Sequence, residues 1–243
     1  MKDTRMTPAE INSIIGIPDW DQVSAIKGEE AAFIYDFVLR HKLNKTLEVG
    51  FAFAKSASHI IAATQSTHIA CDPFQKDFRD VGLKNIEKLG YSHFLDFRPQ
   101  FSYELLPELL KEKRSFEFIF IDGDHKFDGI MLDFYYADLL LEENGYVLFH
   151  DSWMRSTKLV DTFIRKNRKD YEPVPTPIKN FCMFRKIGKD TRNGMHFREF
   201  YTFRSLLSYN LIMWISTGKK TGLKKFLVNL KKRLTSGETK PIR

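Results

Sequence analysis

The chain has 243 residues and a formal net charge of +7, from 38 Lys and Arg against 31 Asp and Glu. That length suits one α/β domain with added segments, and an apolar share of 43 % is enough for a sizeable core, which excludes wholesale disorder. The only cysteines, Cys71 and Cys182, lie far apart, which excludes a disulfide framework or a cysteine zinc site and fits a reducing compartment.

The charge is unevenly placed. Residues 185–243 hold 15 Lys or Arg and 3 Asp or Glu, a balance of +12, so the rest of the chain is mildly acidic at −5. This pattern points away from nucleic-acid binding by the whole protein and toward a basic appendage. The amino terminus does not read as a signal peptide, and no uncharged apolar stretch has the length of a membrane span, so a cytoplasmic protein is expected.

Residues 7–15 read as a short helix, with Thr7 as N-cap, Pro8 in the first turn and Glu10 completing a capping box. Residues 28–42 have apolar positions at helical spacing. An alternation of strands and helices follows. Strands are expected at 46–49, 67–71, 94–97, 116–121 and 145–149, and helices at 55–64, 77–89, 103–112, 127–141 and 158–167. Such alternation implies right-handed parallel crossovers and a doubly wound, Rossmann-like sheet with helices on both faces. Nearly continuous apolar strands such as FEFIFI fit a sheet covered on both sides. Residues 171–175 and 181–187 are expected to add an antiparallel pair.

Beyond residue 188 the alternation is lost. The expected division is therefore a domain over 1–188 and a basic, aromatic-rich helical appendage over 189–243. Within the appendage, residues 219–234 place Leu223, Phe226, Leu227, Leu230 and Leu234 on one helical stripe with Lys and Arg opposite. The readings for it are a lid or self-association helix, or peripheral docking on an anionic membrane.

Polar residues gather where strands end, the place where open α/β sheets bind ligands. The first strand carries Glu48 and runs into Gly50 and Phe51, with Ser56 at the start of the next helix. The second ends in Asp72 and Pro73, about 20 residues on, the spacing at which an acid meets ribose hydroxyls. The fourth ends in Asp122, with Asp124 and His125 close behind, and the fifth ends in His150 and Asp151. Adjacent strands lie about 5 Å apart, so Asp122, His150 and Asp151 are expected to be able to share one divalent cation, with His125 beside them as a general base. Metal-assisted and metal-free chemistry both remain open at this point.

These segments, LEVGFAFAKSA, IACDPFQ and the run FIFIDGDHKFDG through LFHDSW, resemble the class I S-adenosylmethionine-dependent methyltransferases. Within that class they are most similar to a small bacterial group related to macrolide-sugar O-methyltransferases and cephalosporin-hydroxylase-type proteins. The resemblance covers roughly residues 30–187 and implies about seven strands, the last of them antiparallel. It implies that Glu48, Gly50 and Phe51 meet the methionine part of S-adenosylmethionine, that Asp72 binds its ribose, and that Ser102 lies near its adenine. Ser56, Pro73 and Asp122 complete the expected cofactor site. It further implies Mg²⁺ or a similar ion on Asp122, His150 and Asp151, His125 as the base, and a small-molecule or sugar hydroxyl as the acceptor. His150 departs from the pattern, because those relatives usually carry a carboxylate there. A nicotinamide-dependent oxidoreductase is the rival, since Asp72 also suits the ribose of NAD, but the chain lacks G-x-G-x-x-G.

Overall fold

The computed structural model describes residues 5–200, together with Leu207 and Leu211. The expected helix at 219–234 and most of the aromatic-rich stretch at 197–216 lie outside the described residues. Helix α1 (Pro8–Ile14) begins at the expected capping box: the Thr7 hydroxyl accepts the Glu10 N–H, and the Glu10 carboxylate accepts the Thr7 N–H at 2.7 Å. Helix α2 (Gly28–His41) leads into β1 (Thr46–Val49), α3 (Lys55–Thr64), β2 (His68–Cys71), α4 (Val81–Lys88) and β3 (Leu95–Arg98). Then come α5 (Ser102–Lys111), β4 (Phe116–Ile121), α6 (Phe127–Leu140), β5 (Leu141–Phe149), α7 (Arg155–Asn167), β6 (Tyr171–Val174) and β7 (Cys182–Lys186).

The seven strands form one sheet in the order β3-β2-β1-β4-β5-β7-β6. β7 runs antiparallel between β5 and β6, and the pairs on the other side of β5 are parallel. The expected architecture, including the closing hairpin, is what the chain adopts. Strand alternation divides the core. Leu47, Val49, Ile119, Ile121, Val147 and Phe149 face one layer with Leu105 and Leu109 of α5 and Phe134 of α6. Phe118, Phe120 and Leu148 face the other, with Ile34 and Val38 of α2 and Ile60 of α3.

Three boundaries differ from the periodicity. α4 starts at Val81 rather than near 77, because Arg79 and Asp80 take left-handed φ angles of 53° and 54° and break the preceding turn. β5 starts at Leu141, where a register shift against β4 lets the chain pass from helix to strand without a loop. α7 begins at Arg155 rather than near 158. The compact unit runs on to Arg198, whose backbone N–H and C=O are both held by the Asn167 side chain at 2.8 and 2.9 Å. No helix among the described residues is long and apolar enough to cross a membrane.

Candidate active site

The carboxyl end of β1 turns through residues 50–54, a loop in which Gly50, Ala52 and Ala54 have φ of 92°, 41° and 60°. Two alanines thus occupy left-handed conformations that favour glycine, which is why the loop shows no glycine pattern in the sequence. Gly50 itself has no substitute: a Cβ there would lie 2.1 Å from the backbone oxygen of Asp122. The loop therefore abuts the end of β4 directly. Gly82 of α4 approaches the same loop, and a Cβ there would come within 2.5 Å of the Ala52 oxygen.

Asp72 underpins this loop. Its Oδ2 accepts the N–H of Ala52 at 2.8 Å and of Phe51 at 3.2 Å, and its Oδ1 accepts the N–H of Phe74 at 2.7 Å. Gln75 donates to the Ala52 carbonyl at 2.6 Å. Pro73 is half-buried, whereas Phe74 is exposed and meets Phe101 edge-on at 5.7 Å. Phe101 in turn stacks on Tyr103 at 5.0 Å, so an exposed aromatic group flanks the end of β3. Ser102 opens α5 beside the buried Asp133, whose carboxyl is pushed up to about 6 by burial, with Ser102 opposing.

Three expected cofactor residues, Glu48, Ser56 and Phe51, sit otherwise than as open cleft walls. Glu48 lies on the α3 face of β1, one step out of phase with Leu47 and Val49, and is 1 % exposed. Its two oxygens are occupied by the Ser56 hydroxyl and by His68 Nε2 at 3.0 Å, while Thr46 holds the other His68 nitrogen at 2.9 Å. Burial lifts the Glu48 pKa, partly offset by His68 and Ser56. Glu48 and Ser56 thus satisfy each other within the protein. The Phe51 ring is buried as well, 4.9 Å from Phe97, which leaves the Phe51 backbone as its contribution to the loop.

Beyond Gly50 the ends of β4 and β5 form the acidic and imidazole cluster. His125 Nε2 lies 2.9 Å from Asp151 Oδ2 and 3.9 Å from Asp122 Oδ1. The carboxylates of Asp122 and Asp151 raise the His125 pKa against burial. Burial would raise the Asp122 pKa, but His125 and His150 outweigh it and hold the group low. Asp151 also accepts Trp153 Nε1–H at 2.9 Å, and Trp153 is exposed. A small cavity of about 10 Å³ lies here, lined by Asp122, Asp124, His125, His150 and Thr157 among others.

The expected cation set is altered. Asp122, His125 and Asp151 each offer a ligand atom, and the three atoms lie within 4.8 Å of one another. His150 is drawn away from that set. Its Nδ1 lies 3.0 Å from Asp122 Oδ1, and its Nε2 lies 3.2 Å from Glu30 Oε2. Burial would lower its pKa, but Asp122, Asp151 and Glu30 overcome this and hold it near 9. Both of its ring nitrogens are thus engaged within the protein, Nδ1 at Asp122 and Nε2 at Glu30 and Asn180.

The sequence reading missed Glu30 and Asn180. Glu30 is 2 % exposed, and its Oε1 accepts Asn180 Nδ2 at 3.1 Å, while Oε2 accepts the Lys27 N–H at 2.6 Å. Its signal was a carboxylate on the same buried helical stripe as Ile34, Phe37 and Val38. Asn180, in the β6–β7 hairpin loop, carried no local signal.

Residues 47–152 match the family model described as "Methyltransferase domain". Caffeoyl-CoA O-methyltransferase 1 of Zea mays is 25 % identical over 159 residues, 63 % of this chain and 60 % of that protein. Caffeoyl-CoA O-methyltransferase of Pinus taeda is 35 % identical over 83 residues, 32 % of each chain. These matches span less than two thirds of those relatives. Among solved structures, an O-methyltransferase from Bacillus cereus in complex with S-adenosylhomocysteine superimposes with a TM-score of 0.57 at 17 % identity, covering 68 % of this chain and 83 % of that one. The O-methyltransferase TomG from Streptomyces achromogenes, involved in tomaymycin synthesis and in complex with S-adenosylmethionine, gives 0.57 at 12 % identity, covering 77 % and 100 %. Residues 47–152 thus resemble a methyltransferase domain, and the chain shares the fold of these solved structures.

Proposed function

We propose that the chain transfers the methyl group of S-adenosylmethionine to a hydroxyl of a small molecule, a sugar being the acceptor class suggested by sequence resemblance. The observation carrying this reading is that the loop at Gly50, underpinned by Asp72, abuts Asp122, so the cofactor loop and the Asp122–His125–Asp151 cluster share one rim. The names of the relatives, O-methyltransferases acting on caffeoyl-CoA among them, support oxygen as the accepting atom.

The sulfonium already activates the methyl group, so the protein has to align the acceptor oxygen with it and remove the hydroxyl proton. In this reading Asp151 accepts the Nε2–H of His125, and His125 Nδ1 takes the proton. The raised His125 pKa suits a group that must hold that proton while the methyl transfers. Phe74 and Phe101, exposed beside Asp72, offer apolar surface for the adenine, with Ser102 nearby.

The donor set of Asp122, His125 and Asp151 also fits a divalent cation, two carboxylates and one imidazole suiting Mg²⁺, Mn²⁺ or Fe²⁺. Such an ion would polarise the acceptor hydroxyl. An ion bound through Nε2 would replace the contact of His125 with Asp151.

The test is transfer of labelled methyl from S-adenosylmethionine to a panel of sugars and phenols, with calorimetry of S-adenosylhomocysteine alongside. Binding of S-adenosylhomocysteine and not NAD supports the reading; the reverse ends it. If His125 is the base, His125→Ala lowers kcat by about 100-fold or more and leaves S-adenosylhomocysteine affinity unchanged, and EDTA has no effect. Loss of turnover in EDTA, restored by added metal, assigns His125 to the cation instead.

A further inference from the structure

A cavity of about 340 Å³ lies at the amino edge of the sheet, at the far end of the strands from the candidate active site. Thr46 and Phe116, the first residues of β1 and β4, line it. β4 is six residues long, so Phe116 and Asp122 stand about 20 Å apart and the two sites are separate. Three loops bound the cavity: α2–β1 brings Asn44 and Lys45, α3–β2 brings Thr67, and α5–β4 brings Lys113 and Arg114. All three charged residues of the lining are cations. Lys45 is neutralised by Glu142 at 2.8 Å. Lys113 and Arg114 form no ion pair among the described residues, and the side chains of Asn44 and Thr67 form no hydrogen bond there. Asp96 feels the charge of Arg114 but is already held through both oxygens by Arg98, at 2.6 and 3.0 Å. The chain before residue 185 is acidic overall, so this group of cations is not a sample of a generally basic surface.

We infer that this cavity binds the phosphate group of a small phosphorylated molecule. A phosphate monoester carries about two negative charges at neutral pH and three strong acceptor oxygens. Two cations without counterions match that charge. Arg114 supplies a planar fork of donors, Lys113 a point charge, and Asn44 and Thr67 neutral donors on the neighbouring loops. The volume falls within the range of small-molecule sites, about 300–1,000 Å³, and is more than a lone ion fills.

The test is calorimetry of the full chain, at fixed ionic strength, with glycerol 3-phosphate, inorganic phosphate and glycerol. The two phosphates are expected to bind and glycerol is not. Arg114→Gln and Lys113→Asn are each expected to weaken glycerol 3-phosphate by about 10-fold or more. Asn suits the left-handed backbone at residue 113, where φ is 57°. Lys111→Gln removes an equal charge from α5 outside the cavity and is expected to leave the affinity within about twofold. All three positions are exposed, so the variants keep the core intact. Absence of glycerol 3-phosphate binding at millimolar concentration overturns the assignment. So does equal weakening by all three variants, which would reduce the effect to the general field of the surface. Binding of inorganic phosphate without glycerol 3-phosphate also overturns it, since the cavity would then take an ion alone.

Discussion

Asp72 and Ala52 are joined by a 2.8 Å hydrogen bond from the Ala52 N–H to Asp72 Oδ2, so the acid that ends β2 also holds the shape of the loop that ends β1. Oδ1 makes one backbone bond, to Phe74, and keeps a lone pair for a ribose hydroxyl. Asp72→Asn loses the charge on all of these bonds at once. Expected outcomes are an S-adenosylhomocysteine Kd raised by about 10-fold or more and a stability loss of about 1–3 kcal/mol. Calorimetry and urea unfolding measure the two effects separately; a variant binding as tightly as wild type would contradict the role.

Gly50 and Gly90 both have positive φ, 92° and 73°, but differ in their surroundings. A Cβ at Gly50 would strike the Asp122 carbonyl at 2.1 Å, whereas nothing lies within 4 Å of one at Gly90. Gly90→Ala is expected to lower stability by about 1–2 kcal/mol, the cost of the backbone conformation. Gly50→Ala adds the collision and is expected to cost more than about 3 kcal/mol, and to abolish cofactor binding. Thermal melts of both variants check the difference, and equal losses would mean the loop yields freely.

Removing Glu30 takes the carboxylate away from His150 Nε2 and strips partners from Asn180 and the Lys27 N–H. Breaking a buried charged set in this way typically costs about 3–5 kcal/mol. Glu30→Ala is therefore expected to unfold at markedly lower urea concentration, although residue 30 lies outside the family match at 47–152. A loss below about 1 kcal/mol would show the clamp to be incidental.

Asp133 has its pKa raised from 3.8 to about 6 in the folded chain, so folding favours its protonated form. The unfolded chain ionises first as pH rises, and stability falls between about pH 4 and pH 6, then levels off with a deficit of up to about 3 kcal/mol. Asp133→Asn removes this titration. It is expected to be more stable than wild type at pH 8, with the gap narrowing toward pH 5. Melts at the two pH values check this, and a gap independent of pH would rule out the titration.

Much of the fold was legible because periodicity reports burial. Strands 116–121 and 46–49 and the hairpin at 171–187 stood out by apolar pattern, and the acids at 72, 122 and 151 stood out by following strands. The loop at 50–54 was less legible, since Ala52 and Ala54 adopt backbone conformations that their side chains do not advertise.

Local sequence set the element order, the sheet and the polar residues at its rim, since these depend on hydrophobic spacing and on what terminates each strand. It left open which of those residues are available for chemistry. That depends on partners distant in the chain: Glu30 and Asn180 engage His150 from positions 120 and 30 residues away, and His68 with Ser56 occupies Glu48. A carboxylate or an imidazole is free to act only when its lone pairs and protons are not already spent, and that is settled by packing in three dimensions.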